Sequence, residues 1–301
     1  MRTNRRNKRK LILFLFMPKI AIVTDSSAIF TREEKSQYQI ETVPLNIMFE
    51  GKVYRDGVDL TTKQAYQFLE KNPEDWATSA PAVGEFLAAF KKHALQGTKE
   101  IICLTLTKSV SATWNNARMA KEIAKKELPE VKIEVIDSNT GLAGETLIIL
   151  RIARAIKEGK NFQEIIDLTE KLKSKIRVYL LLETIRYIYR SGRIPEVASK
   201  VGALLPLKPI LSFFGGRVHF AGATTSMEKS KEKIIKNLEE NWDPNFPEIS
   251  LMYIDSYEEV KKTKGKISSL LPSARISISE FSSIIGYATG RGTLGIGFFA
   301  K

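Results

Sequence analysis

The feature that most restricts the fold of this 301-residue chain is the alternation, across its first half, of short apolar runs with longer amphipathic stretches. Ile20–Thr24, Thr42–Met48, Ile101–Leu106 and Ile133–Asp137 are short, rich in β-branched residues and bounded by turn formers. Helical spacing of apolar positions marks Lys63–Glu70, Val83–Ala94, Ala112–Glu127 and Gly144–Lys157. Strands that alternate with helices predict a largely parallel sheet covered on both faces, a three-layer α/β/α arrangement. In such a sheet a ligand sits outside the carboxyl ends of the strands, so the loops there are the first place to look.

The second half has a different texture. Phe162–Lys173 reads as a helix, Arg177–Leu182 as a strand and Ile194–Leu204 as a helix. Ile210–Phe214 and Arg217–Phe220 flank Gly215-Gly216 and read as a hairpin. Ser226–Glu240 is helical, with Thr225 and Glu228 spaced as a capping box, and strands at Ile249–Ile254 and Arg275–Ser279 flank a helix at Glu258–Leu270. We therefore expect an α/β chain of two domains: an N-terminal α/β domain over 17–160 and a C-terminal α+β domain over 161–301, with ligand between them.

Residues 1–16 form a leader of different composition. Arg2, Arg5, Arg6, Lys8, Arg9 and Lys10 hold six of the 13 net positive charges, and Leu11–Phe16 is an apolar run. This resembles the start of a signal peptide, but no small-residue cleavage site follows, and the run is far short of the ~20 apolar residues of a spanning helix. The simplest expectation is that Met17 is the working start and 1–16 a disordered or untranslated leader; adhesion to anionic lipid is the alternative. Without the leader the charge is +7 and interspersed, a weak argument for an acidic partner. Cys103 has no partner for an internal disulfide, which fits a reducing, cytoplasmic setting. His93 and His219 lack ligand-spaced companions, and no metal site is expected.

Most strand ends carry hydroxyls: Thr24-Asp25-Ser26-Ser27, Thr105 to Thr113 with Thr107, Ser109 and Ser111, and Asp137-Ser138-Asn139-Thr140; Thr78-Ser79-Ala80-Pro81 adds a further cluster. Each cluster alone reads as helix capping. Several converging on one crevice would suit a carboxylate or phosphate. Gly290-Arg291-Gly292-Thr293-Leu294-Gly295 has dinucleotide-motif spacing but lies too near the chain end for the rest of that motif, leaving either an anion-binding nest or a tight turn. No histidine stands beside a nucleophile motif, and Ser226 with Lys229 fits S-x-x-K only inside a charged helix start. Asp25 sits where an aspartyl-phosphate enzyme has its nucleophile, although Ser27 replaces the second carboxylate. Asp56 and Asp59 read as turn residues.

These pieces, in this order, resemble the DegV family of bacterial fatty-acid-binding proteins. The match runs through Lys19–Ser27, Val43-Pro44-Leu45, Thr78-Ser79-Ala80-Pro81, Ser111-Ala112-Thr113-Trp114, Val135–Ser138, Ser191-Gly192-Arg193-Ile194 and Thr289–Phe298. It departs from the family at Ala80, Ala112, Thr107-Lys108, Ala288 (the family's His) and Arg291 (the family's Pro). The resemblance implies a non-catalytic carrier that buries a long-chain fatty acid and presents its carboxylate to a separate fatty acid kinase subunit, which makes an acyl phosphate for phospholipid synthesis. It implies no cofactor besides the fatty acid, and neither nucleic acid nor a membrane span.

By position, the resemblance assigns the carboxylate to Thr78, Ser79, Thr107, Ser111, Thr289 and Gly290, with Asp25, Ser26, Lys108 and Arg291 as auxiliary candidates. Arg193 becomes a candidate for docking the kinase. Burying a tail of about 16 carbons at ~0.8 kcal/mol per methylene could supply on the order of 12 kcal/mol before ordering costs. Ile149, Ile152, Leu180 and Leu181 either line a tunnel for such a tail or fill the core, with core the preferred reading. Two rival readings are a phosphoryl-transfer or hydrolytic enzyme centred on Asp25 and a nucleic-acid binder using the leader.

Overall fold

The computed structural model describes residues 20–72, 75–194 and 206–301. The leader and most of the helix expected at Ile194–Leu204 lie outside them. Four strands form the expected parallel sheet: β1 (Ile20–Asp25), β2 (Glu41–Val43), β6 (Glu100–Thr105) and β7 (Lys132–Asp137), in the order β2-β1-β6-β7. Helices α3 (Val83–Leu95) and α4 (Thr113–Glu127) cover one face through Phe86, Phe90, Ala117 and Ala120. Helix α1 (Arg32–Tyr38) joins β1 to β2 and begins in a capping box at Thr31 and Glu34.

The strand expected over Thr42–Met48 is two strands. Pro44 cannot donate to a ladder, and the chain leaves the parallel sheet there. It continues as β3 (Asn46–Phe49), which pairs antiparallel with β4 (Lys52–Arg55) and β5 (Ala77–Ser79) in a small separate sheet. Helix α2 (Thr62–Lys71) lies between β4 and β5 in the chain. This excursion carries Thr78 and Ser79 out of the main sheet.

The second half builds a mixed six-stranded sheet, in the order β10-β9-β8-β13-β11-β12. Its strands are β8 (Ile176–Leu181), β9 (Lys208–Phe214), β10 (Arg217–Thr224), β11 (Glu248–Tyr253), β12 (Arg275–Glu280) and β13 (Leu294–Phe299). Gly215 and Gly216 take φ of 59° and 77°, the left-handed pair that a two-residue hairpin between β9 and β10 needs. Helices α8 (Met227–Asn241) and α9 (Tyr257–Leu270) cover the outer face of this sheet with Ile234, Leu238, Val260 and Ile267. The cap of α8 is Ser226, whose hydroxyl accepts from Lys229 N; Thr225 is not the cap, contrary to the sequence expectation.

One helix joins the two sheets. α5 (Ala143–Lys157) is buried along nearly its whole length, and its residues share one apolar cluster with Ile22 and Leu104 of the first sheet and Val178, Leu180 and Phe299 of the second. The close approach needs small residues: a Cβ on Gly144 would press on Val178, and one on Gly297 on Ala143. Helix α6 (Phe162–Lys175) packs beside α5, while α7 (Arg186–Ser191) and α10 (Ser283–Thr289) meet at the edge.

Candidate functional site

The carboxyl ends of β6 and β7, the small sheet, the β9–β10 hairpin and α10 together enclose a cavity of about 370 Å³. Leu106 and Leu142 follow the two parallel strands; Leu180, Phe213, Ile284 and Ile285 complete an apolar wall. The hydroxyl-bearing residues Thr78, Ser79, Ser111 and Thr289 also line it, as do Ala288 and Arg193. Four of the six residues assigned to a carboxylate thus come together from three distant stretches of chain. Of the four residues read as lining or core, Leu180 lines the cavity, while Ile149, Ile152 and Leu181 are buried core residues away from it.

The lining hydroxyls differ in what they can offer. Among the described residues nothing accepts the Thr78 or Ser79 proton, and Arg193 Nη2 stands 3.5 Å from Thr78 Oγ1. Ser111 Oγ lies 2.7 Å from Thr113 Oγ1 and also accepts from the Thr113 amide, so when Thr113 donates, the Ser111 proton is left for a further acceptor. Thr289 Oγ1 donates to Ile285 O one turn back at 2.8 Å, and its hydroxyl must turn before it can donate elsewhere.

Two assigned residues stand behind the wall. Thr107 is buried and donates to Gly216 O at 3.1 Å, tying the β6 loop to the hairpin turn. Gly290 has φ of 84° and gives its amide to Gly286 O, while Gly292 gives its amide to Ile254 O. The glycine motif is therefore a turn into β13 and not an open nest. The auxiliary candidates are likewise engaged. Lys108 Nζ lies 3.9 Å from Asp137 and 5.0 Å from the Trp114 ring centre. Arg291 pairs with Glu70 and Asp255. Ser26 Oγ donates to Asp56 at 2.7 Å and accepts from the Leu45 amide. Ser26, Lys108 and Arg291 thus each face a partner in the fold, and none of the three lines the cavity.

Asp25 is wholly buried, with Oδ1 accepting from Ser27 N at 2.9 Å and Oδ2 from Leu106 N at 2.8 Å. Both oxygens are held by loop amides, and Asp25 does not line the cavity. Beside it lies Glu145 of α5, missed in the sequence because it reads as an ordinary helix residue. It is also wholly buried, and its two oxygens accept from Thr24 and Ser27 hydroxyls at 2.8 Å. Loss of water, then the nearby Asp25 charge, pushes the Glu145 carboxyl well up from its usual range. Burial also raises Asp25 and Asp56. Asp56 is no ordinary turn residue: it accepts from Ser26 and, at 2.8 Å, from Ser283, fastening the first residue of α10 to the loop after β1. Asp59 only pairs with Arg55, whose hydrogen bonds lower it to about 2. Among the described residues no cluster could hold a metal ion.

A family model described as an uncharacterised protein of the DegV family matches residues 19–301. A DegV domain-containing protein of Clostridium acetobutylicum is 29% identical over 286 residues, covering 95% of this chain and 100% of the relative. The crystal structure of Bacillus subtilis DegV, described as a fatty acid binding protein, superposes with a TM-score of 0.83 at 27% identity, covering 94% of this chain and 99% of that one. The Streptococcus pneumoniae fatty acid kinase B3 protein loaded with linoleic acid shares the fold, with a TM-score of 0.83 at 21% identity over 94% and 99% of the two chains.

Proposed function

Since the chain belongs to the DegV family, we propose that it is a non-catalytic carrier that encloses one long-chain fatty acid and offers the carboxylate to a partner kinase. The observation that carries this reading is the cavity: about 370 Å³, mostly apolar, and edged with hydroxyls contributed by three separate segments. That volume lies in the range of roughly 300–1,000 Å³ that small-molecule sites occupy. In this reading Thr78, Ser79 and Ser111 donate to the carboxylate, with Thr289 after rotation. An unpaired carboxylate in such a place would be prohibitive. Ala288 lines the wall where the family has His, so the hydroxyls and Arg193 carry the polar recognition here.

Neutral donors also suit phosphoryl transfer to the bound acid. A carboxylate in a tight ion pair is a poorer nucleophile than one held by hydroxyls. Its oxygen attacks the γ-phosphorus of ATP on the partner, the bond to the bridging oxygen breaks, and ADP leaves with the electron pair, giving the acyl phosphate. Arg193 is exposed at the cavity edge, where it can meet an acidic face of the kinase. Native mass spectrometry of protein purified from cells tests the carrier reading. A mass increment of one fatty acid is expected; a clean apo mass and no palmitate uptake would refute it.

A further inference from the structure

The cavity is polar on one side only. Its hydroxyls come from β5, the loop after β6 and the end of α10. Every lining residue that the second sheet contributes is apolar: Leu180 of β8, Phe213 of β9 and Val218 of β10. A carboxylate goes to the hydroxyls, because an apolar wall offers it no donor. The part of an acid that reaches the second sheet is therefore its tail.

Strand register fixes how these three residues stand. Phe213 and Val218 are direct partners across the β9–β10 ladder, so their side chains leave the sheet on the same face. On its other side Phe213 pairs with Val178, two residues from Leu180, which lies diagonally beside the ring. Phe213 occupies the middle of this floor and is 6% exposed, with Val218 half-buried next to it. Ile210 and Leu181 point the other way, into the cluster beneath α8 and α9. The floor is also braced from outside its own sheet. Gly216, in the hairpin turn, accepts from Thr107 Oγ1 at 3.1 Å and gives its amide to Asn139 O at 3.0 Å. A tail that presses on Phe213 works against a strand pair tied to the loops after β6 and β7.

We propose that Phe213 and Val218 form the stop on which the methyl end of the acyl chain rests, and so set the longest acid that the cavity takes. This rests on the carrier reading above and adds to it the two side chains that select among acids. Each methylene added short of the stop buries apolar surface and raises affinity about fourfold. A methylene beyond it has to displace Phe213 from a packed site, as overpacking does, and affinity falls.

The test measures the affinity of the delipidated full chain for straight-chain saturated acids from laurate to arachidate. In the parent, affinity climbs with length to one optimum and then falls. Phe213→Leu should move that optimum to an acid longer by about two carbons, and Val218→Phe to one shorter by about as much. Thermal melting checks that each variant folds. General damage lowers affinity for every acid alike and leaves the optimum where it was, so the position of the optimum is the readout. An optimum that either folded variant leaves in place, or moves the opposite way, overturns the stop while the carrier reading stands. Binding of none of these acids by the parent overturns both.

Discussion

At the residue scale, the buried carboxyls set the response to pH. Both Glu145 oxygens accept from hydroxyls, and among the described residues no cation pairs with it, so burial favours its protonated form. A carboxyl whose folded pKa lies above its unfolded value holds a proton in the folded state after the unfolded chain has lost it. Its contribution is complete below the unfolded value near 4.5 and is lost as pH rises toward the folded value. Glu145→Gln removes that dependence while keeping the shape. Thermal melts at pH 5 and pH 8 should show a smaller drop in Tm for the variant than for the parent; equal drops would mean that Glu145 is ionised throughout.

The hydroxyls divide into two groups that a single substitution separates. Thr78→Val or Ser111→Ala deprives a bound carboxylate of a donor worth about 1.5–3 kcal/mol, so palmitate affinity should fall by about tenfold to a hundredfold with little change in Tm. Thr107→Ala removes a buried brace to Gly216 and should cost about 1 kcal/mol of stability while the folded protein keeps its affinity. Calorimetric titration beside thermal melting distinguishes them, and an affinity loss in Thr107→Ala would return that residue to the cavity. Such a division was hidden in the sequence, where Thr107 and Ser111 are two hydroxyls of one loop; only the position of the hairpin turn decides which faces inward.

At the element scale, α10 shows both how much was legible and why the rest was not. The four parallel strands, their covering helices and the Gly215-Gly216 hairpin follow from periodicity and turn chemistry alone. Ser283–Thr289 does not, because Ser-Ile-Ile-Gly-Tyr-Ala-Thr is apolar nearly all round and offers no period from which to read a face. Its placement is tertiary: Ser283 is fastened to Asp56, and Gly286 admits the Tyr66 ring so closely that an added methyl would strike it. Gly286→Ala should therefore destabilise by about 1–3 kcal/mol, as overpacking does, and shift the Ile284–Ile285 wall. Tyr66→Phe leaves the helix in place, because the Tyr66 hydroxyl is buried without a hydrogen-bond partner among the described residues. Chemical denaturation of the parent, Gly286→Ala, Tyr66→Ala and the double variant checks this: the double variant should lose clearly less than the two single losses added, and strict additivity would place the strain elsewhere.

At the scale of the whole molecule, we propose 17–160 and 161–301 as the two domains, yet α5 gives them a common core. Val178, Leu180 and Phe299 share a cluster with Ile22 and Leu104 through this helix, so neither half buries its apolar surface without it. Unfolding is then expected as one transition, with ligand and fold linked through the cavity wall, to which both halves contribute. A ligand that binds only the folded chain stabilises it by about 2.7 kcal/mol when present at about 100 times its Kd. Spread over the unfolding entropy of a chain of this length, that corresponds to a rise of about 4 °C in Tm. Calorimetry of delipidated protein with and without palmitate measures it directly. A single peak moving as a whole is the expected result. Two peaks, of which palmitate moves one, would show that α5 does not couple the halves and that the cavity belongs to a single domain.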